Sequence, residues 1–170
     1  MSQAQTLATF FQILGPAGPL NWHDPIALRN LFTQNSGPPG NPTFPNVGLT
    51  TGQGPQFNGR AKILTLFQHL FTCFPQVSLT PINALRPIDG NTTVVETTLG
   101  TGPQAASWAP GGNPSAPLSN VVPNNANRVN LPVCAVFTFN GDPIQNLALY
   151  FDRYSLANGL WDKVHPPHLV

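Results

Sequence analysis

The segment VNLPVCAVFTFNGDPIQNLALYFDRYSL, residues 129–156, decides the fold of this chain. Two apolar runs, residues 131–139 and 144–151, flank a turn-rich link at residues 140–143. A link this short joins antiparallel strands, so the sequence predicts a β-hairpin here. The second run ends at Asp152, and a carboxylate in that place has two interpretations. It is either a turn signal at the end of a strand or a buried acid that faces a pocket.

Three segments ahead of the hairpin have the apolar spacing of α-helices. Residues 3–14 carry apolar side chains three and four apart, as one face of a helix does. Asp24 followed by Pro25 is a typical helix start, and we expect that helix to end near Gln34. Residues 59–74 give the strongest helical pattern. Its apolar stripe consists of Ile63, Phe67, Leu70, Phe71 and Phe74.

Beyond residue 74 the apolar period changes from helical to two. Residues 77–85 and 92–99 are rich in β-forming side chains, and Pro81 and Pro87 place the first of these strands at an edge or a bulge. Helices followed by a meander of strands predict an α+β fold, with the helices packed on one face of an antiparallel sheet. A length of 170 residues suits a single domain spanning 1–170.

Three segments are predicted to lack regular structure. Residues 36–55 are rich in Gly, Pro and Asn and indicate a long loop. Residues 103–127 predict a second long loop, a flap or lid that carries Trp108. Residues 158–170 predict an extended, proline-rich tail.

Composition excludes several classes of function. The chain has 7 basic and 6 acidic residues, and no basic run marks a nucleic-acid-binding surface. Its N-terminal apolar segment is too short for a membrane span and lacks a basic flank, so we expect a cytoplasmic protein without membrane contact. Low charge and 11 phenylalanines favour an apolar interior, a lined cavity or a buried subunit interface.

Metal and thiol chemistry also lack support in the sequence. Cys73 and Cys134 lie within apolar runs and are expected to be free thiols, with no histidine placed to activate either. His69 is expected at a surface or helix edge. Only His165 and His168 recur at a ligand-like spacing, so we expect neither a metal nor a cofactor.

Three motifs, in this order, resemble the SnoaL-like branch of the NTF2-like superfamily. They are FTCFPQVSLTPI (71–82), IDGNTTVVETTLGTG (88–102) and YFDRYSL (150–156). The resemblance implies a cone: a strongly bent antiparallel sheet over about three N-terminal helices, with an apolar pocket at the open end. It also implies a homodimer through the outer sheet face. The family includes cyclases, isomerases, dehydratases, epoxide-opening enzymes and pure binding modules, so the fold does not fix the function.

Two departures narrow the choice of chemistry. Family members often have a histidine soon after the Gly-Thr pair of the middle strands, whereas Gly100-Thr101 is followed by Gly102 and a proline. The epoxide-opening members pair Arg and Asp at alternate strand positions. Here Arg86 and Asp89 are three apart with a turn between them, which disfavours epoxide hydrolysis.

The resemblance implies that Asp152 is a general acid/base, because Tyr150-Phe151-Asp152 matches the Y-x-D ending of the cyclases. An apolar cavity would raise the pKa of its carboxyl toward the working pH. Strand alternation sends Ala148, Tyr150 and Asp152 to one face, where Tyr150 would share a substrate oxygen if that face lines the pocket. The alternative is that Asp152 caps a helical turn after residue 152 or pairs with an arginine.

Other candidate site residues have a structural alternative beside the functional one. Glu96, the only glutamate, sits mid-strand and is either solvated or a partner inside the cavity. Trp22, Phe67 and Phe71 wall a pocket or are core, and Trp108 is the aromatic that would close over a ligand.

The leading hypothesis is therefore a cofactor-independent SnoaL-like enzyme. It would act as a cyclase, isomerase or dehydratase (lyase) by proton transfer on a small apolar carbonyl compound. The alternative is a non-catalytic NTF2-like module that binds a lipophilic ligand or a protein partner through its pocket or sheet face.

Overall fold

The computed structural model describes residues 1–16, 23–33, 60–102, 128–152, 155–156 and 159, together with the backbone of 41–43. Within these residues three helices and six strands are defined. In order they are α1 (Gln3–Ile13), α2 (Pro25–Asn30), β1 (Asn41–Thr43), α3 (Arg60–Cys73), β2 (Ser78–Pro81), β3 (Arg86–Pro87), β4 (Thr92–Gly100), β5 (Asn130–Phe139) and β6 (Ile144–Tyr150).

The strands form one sheet in the order β1-β6-β5-β4-β2, and β3 also pairs with β4. Every pairing is antiparallel except that of β1 with β6. The predicted hairpin of β5 and β6 is confirmed, with Phe139 opposite Ile144 and a register shift at that end. Gly141 takes a φ of 69° in the turn, a conformation in which a side chain is strained.

Local hydrogen bonds explain where the first two helices begin. Ser2 and Gln5 form a capping box at α1: each side chain accepts a hydrogen bond from the other residue's backbone N–H. At α2 the Asp24 carboxylate accepts from the backbone N–H groups of Ile26 and Ala27, at 2.8 and 3.0 Å, as the sequence predicted.

The end of α2 differs from the prediction, because the helix stops at Asn30 rather than near residue 34. Beyond it the chain joins the sheet: Ile144 N–H donates to Leu31 O, and Thr33 N–H donates to Ile144 O. Arg60 at the start of α3 donates to Phe32 O at 3.0 Å. These hydrogen bonds to distant residues take the place of the next helical turn. Nothing in the sequence around residues 30–34 predicts them.

The core lies between the helices and one face of the sheet, in two contiguous clusters. The larger cluster joins α1, α2 and α3 to β2, β4, β5 and β6, around the fully buried Phe10, Phe32 and Phe137. The second lies toward the end of α3 and contains Leu66, Cys73, Phe74, Val77, Val129, Leu131 and Leu156. The α+β prediction is confirmed. The apolar stripe predicted for α3 did not include Leu66, which is buried in the second cluster.

Two strand predictions need correction. Residues 36–55 were expected to be loop, yet β1 within them pairs in parallel with β6. Residues 77–85 were expected to be one strand, but the edge is split into β2 and β3, both of which pair with β4. Pro81 and Pro87 end these short strands, as proline does where a backbone donor is missing.

Several predictions fall where the structure describes little or nothing. The loop at 103–127 lies outside the described residues, and so does the tail at 158–170 apart from Gly159. The single-domain assignment stays a prediction. None of the helices in the described part of the chain has the length and apolarity needed to cross a membrane.

Candidate functional site

Asp152 is exposed and bound to the turn that follows it. Its Oδ1 accepts from the backbone N–H of Ser155 at 3.2 Å, and its Oδ2 accepts from the Ser155 hydroxyl at 2.6 Å. Leu156 N–H donates to the backbone oxygen of Asp152 at 3.1 Å. These are the contacts of a helix N-cap, the structural alternative given for this residue. Its catalytic role stays a prediction.

Tyr150 lies on the outer face of the sheet, away from the helices. Alternation along β6 is confirmed, because Leu147 is buried in the core whereas Tyr150 is 39% exposed. Tyr150 of β6 lies opposite Cys134 of β5, and Cys134 lies opposite Glu96 of β4. The three side chains therefore form one row on that face. The face that carries Tyr150 is therefore not the one that packs on the helices.

Glu96 is exposed on the same outer row, in the middle of β4. Its carboxylate accepts a hydrogen bond from the Asn83 side chain in the segment between β2 and β3. This position fits the solvated alternative for Glu96, because both Glu96 and its partner Asn83 are exposed.

Phe67 and Phe71 lie on the opposite side, on α3. Phe67 is 4% exposed and belongs to the larger core cluster. Phe71 is half-buried and stacks on Phe67, with ring centroids 6.3 Å apart. The predicted site thus combined residues from both faces of the sheet, and the structure does not bring them together. Trp22 and Trp108 lie outside the described residues.

An apolar set on the inner side has a different character from the packed core. Leu70 and Phe71 of α3, Leu99 of β4 and Phe151 after β6 each pack against both core clusters and yet remain half-buried. We call these four residues the junction. Apolar side chains from a helix and from the sheet, partly open to solvent between two filled clusters, are what a small apolar ligand would contact.

His23, the residue before the Asp24 cap, is a polar group at the junction. Its ring stacks on Phe71, with centroids 4.4 Å apart and planes 11° apart. Its Nε2 is 2.6 Å from Val77 O, so that nitrogen carries the proton and donates. Burial lowers the pKa of the ring, against the opposing effect of backbone hydrogen bonds. A φ of 58° turns the chain here, and nothing in the local sequence signals a contact 48 positions away.

Cys73 and His69 form a second contact that the sequence analysis missed. His69 Nε2 is 3.4 Å from Cys73 Sγ, one helical turn apart on α3. This contact was not predicted, and the four-residue spacing was the available signal. Burial raises the pKa of the Cys73 thiol to about 11, so the thiol is protonated at neutral pH and is a poor nucleophile.

The carboxylates in the described part of the chain are exposed or cap a helix. Of the 6 acidic residues, all but Asp162 lie in the described part of the chain. Asp89, Asp142, Asp152 and Glu96 are exposed, and the half-buried Asp24 caps α2. Within those same ranges no three His, Cys, Asp or Glu side chains gather closely enough to hold a metal ion.

Known structures share this architecture. A protein from Jannaschia sp. CCS1, assigned provisionally as a SnoaL-like polyketide cyclase, is 17% identical with a TM-score of 0.65, covering 97% of this chain and 93% of that one. A hypothetical protein with a ketosteroid isomerase-like fold from Catenulispora acidiphila, in complex with trimethylamine, is 15% identical with a TM-score of 0.64, covering 96% and 98%.

A third similar structure is SalBIII, an epoxide hydrolase/cyclase-like enzyme of pyran ring formation in salinomycin. It is 19% identical with a TM-score of 0.59, and the match covers 90% of this chain and 92% of that one. No family model and no curated protein matches the chain.

The structural matches define the fold. The chain has the α+β cone of the NTF2-like proteins, and the predicted resemblance to their SnoaL-like branch is confirmed at the level of the fold. Identities below one fifth carry the architecture and leave the activity open.

Proposed function

We propose that this chain is an NTF2-like binding module that holds a small apolar organic molecule at the junction, without proton transfer by Asp152. The observation that supports this most is the half-burial of Leu70, Phe71, Leu99 and Phe151 between two filled core clusters. A ligand that covers such side chains gains roughly 25 cal/mol for each Å² of apolar surface removed from water.

The placement of the acids supports binding over catalysis. Acid-base work on a carbon next to a carbonyl needs a carboxyl group whose pKa is raised by desolvation. In the described part of the chain the carboxylates are exposed or cap a helix. Asp152 itself accepts two hydrogen bonds from Ser155, the contacts of a helix N-cap.

The test is a titration of an aromatic ketone into nitrogen-15-labelled protein, followed by amide chemical shifts. We expect shifts to concentrate at the end of α3, around Leu99 and around Phe151. Phe71→Ala removes an aromatic wall of the junction and should weaken binding about tenfold. Leu99→Ala, on the facing strand, should weaken it in the same direction.

Val136→Ala is the matched control, because Val136 is half-buried on the outer face of β5. It should leave the affinity unchanged, and thermal melts of all variants confirm that each is folded. Shifts confined to the outer face, or equal losses of affinity in Val136→Ala and Phe71→Ala, would overturn the proposal.

The outer sheet face supports a second copy of the chain as partner. Val94, Val136 and Ala148 are direct cross-strand neighbours and form an uncharged, half-buried row at its centre. Arg86 beside Val94 and Glu96 two residues further along β4 are opposite charges, and a two-fold axis that passes between them would pair each with the other's copy. We expect a dimer in sedimentation, a monomer for Val136→Lys, and no change for Ile88→Lys. A monomeric wild type would contradict this pairing.

A catalytic role is the second candidate. The observation that favours it is the likeness to SalBIII, itself named as a cyclase-like enzyme, combined with the Tyr150-Phe151-Asp152 sequence. Asp152→Asn separates the two candidates, since asparagine retains the cap but transfers no proton at neutral pH. Turnover of a carbonyl compound that is lost in Asp152→Asn would establish catalysis, whereas unchanged ketone binding without turnover supports the binding module.

A further inference from the structure

We propose that Asn140 is a site of spontaneous deamidation, and that the reaction weakens the attachment of α1 to the turn between β5 and β6. This inference is independent of the proposed function, because it concerns the chemistry of the turn and not the junction.

The turn exposes the Asn140 side chain to attack by the backbone nitrogen of Gly141. Asn140 and Gly141 are both exposed, and the Asn140 carboxamide makes no hydrogen bond to any described residue. Gly141 has no side chain, and the position where a Cβ would stand has no atom within 4 Å. Gly141 therefore adds no side chain that would crowd its own backbone nitrogen, and the space beside its Cα is open.

The reaction needs only water and hydroxide. Hydroxide takes the proton from the Gly141 amide nitrogen, which then forms a bond to Cγ of Asn140. The Cγ–N bond of the carboxamide breaks, and ammonia leaves with a proton from water. Water then opens the resulting succinimide ring at either carbonyl carbon, giving aspartate or isoaspartate. One water is consumed and one ammonia is released, with no oxidant or reductant.

The same turn is held by the start of α1. Gln3 Nε2 donates to Gly141 O at 3.0 Å and to Gly90 O, in the turn before β4, at 3.0 Å. The Thr6 hydroxyl donates to Asp142 O at 3.1 Å, and the N-terminal amine of Met1 is 3.7 Å from the Asp142 carboxylate. We call these contacts the α1 clamp.

Deamidation acts on the α1 clamp in two ways. Isoaspartate inserts a methylene into the backbone before Gly141, which displaces the carbonyl oxygen that Gln3 binds. Either product adds a carboxylate near Asp142, where like charges repel. The hairpin strands stay paired, because Phe139 and Ile144 lie outside the altered link.

The experiment incubates the folded protein in mildly alkaline buffer and maps its peptides by mass, with an isoaspartyl methyltransferase assay for the isomer. We expect the peptide containing Asn140 to convert faster than in mildly acidic buffer, and at a rate within about threefold of the urea-unfolded protein. The isoaspartate fraction, separated by ion exchange, should melt at a lower temperature than unreacted protein.

Three variants make the outcome specific. Asn140→Gln should abolish conversion at this turn, because the longer side chain disfavours ring closure. Asn140→Asp reproduces the charge without the extra methylene, so it should melt between the unreacted protein and the isoaspartate fraction. Gln3→Ala should remove most of the difference in melting temperature between those two forms.

Two results would overturn the proposal. One is an Asn140 peptide that stays intact in the folded protein while the same dipeptide at Asn58-Gly59 or Asn158-Gly159 converts. The other is an isoaspartate fraction whose melting temperature equals that of unreacted protein.

Discussion

The two faces of the sheet differ in what the same strands present to their surroundings. On the inner face, Phe137 and its neighbours pack against three helices and are fully buried. On the outer face, one residue along, Val136 is half-buried and Tyr150 is exposed. The motif that resembled a catalytic ending lies on the outer side, and the half-open apolar surface lies on the inner side. A motif that matches a catalytic ending therefore does not by itself show that its residues line a pocket.

The largest expected effect is on stability, in two neighbouring residues of β5. Phe137→Ala removes a fully buried ring and should lower the free energy of unfolding by about 3–5 kcal/mol. Val136→Ala, on the outer face, should lower it by about 1 kcal/mol or less. Chemical denaturation of both variants measures the difference. Equal losses would mean that the outer face is also buried.

The two cysteines sharpen the same comparison through their reactivity. Cys73 is buried, and its pKa is raised to about 11, whereas Cys134 is half-buried on the outer face. A maleimide at neutral pH should label Cys134 at least about tenfold faster than Cys73. Mass mapping over time gives both rates in one sample. Faster labelling of Cys73 would contradict the burial of the second cluster.

Asp152 allows a test of capping against catalysis by stability alone. Asp152→Ala should lower the free energy of unfolding by about 1 kcal/mol, because Ser155 N–H loses its acceptor. Asp152→Asn should be nearly neutral, since asparagine caps as well as aspartate. If both variants were neutral, the cap would contribute nothing.

The smallest expected effect is a pH dependence from His23. Burial lowers the pKa of its ring in the folded state below the ordinary 6.5, so the unfolded chain binds the proton first. The stabilisation is present above pH 6.5 and is lost as the pH falls through the lowered value. His23→Asn tolerates the positive φ and should flatten the stability profile over that window. The wild type and His23→Asn share all other charged groups of the described residues. If the stability of His23→Asn depended on pH as steeply as that of the wild type, a group other than His23 would cause the dependence.

The sequence was a good guide to elements and a poor guide to their assembly. The period of the apolar residues predicted α3, β4 and the hairpin, because each signal is local. It could not predict β1, the early end of α2 or the contact of His23 with Phe71, since each depends on a partner far along the chain. The placement of the candidate site residues was beyond the sequence for the same reason: alternation correctly put Tyr150 and Leu147 on opposite faces, but only the helices decide which face is inner.

The prolines at the margins of the sheet restrict how copies of this chain can meet. β1 at one edge contains Pro42, and β2 and β3 at the other contain Pro81 and Pro87. A proline has no N–H to offer, so neither margin presents an unbroken row of donors to an incoming strand. The sheet is thereby protected against lengthening into a ribbon of stacked chains. Association between copies is left to broad surfaces, where side chains rather than backbone set the specificity.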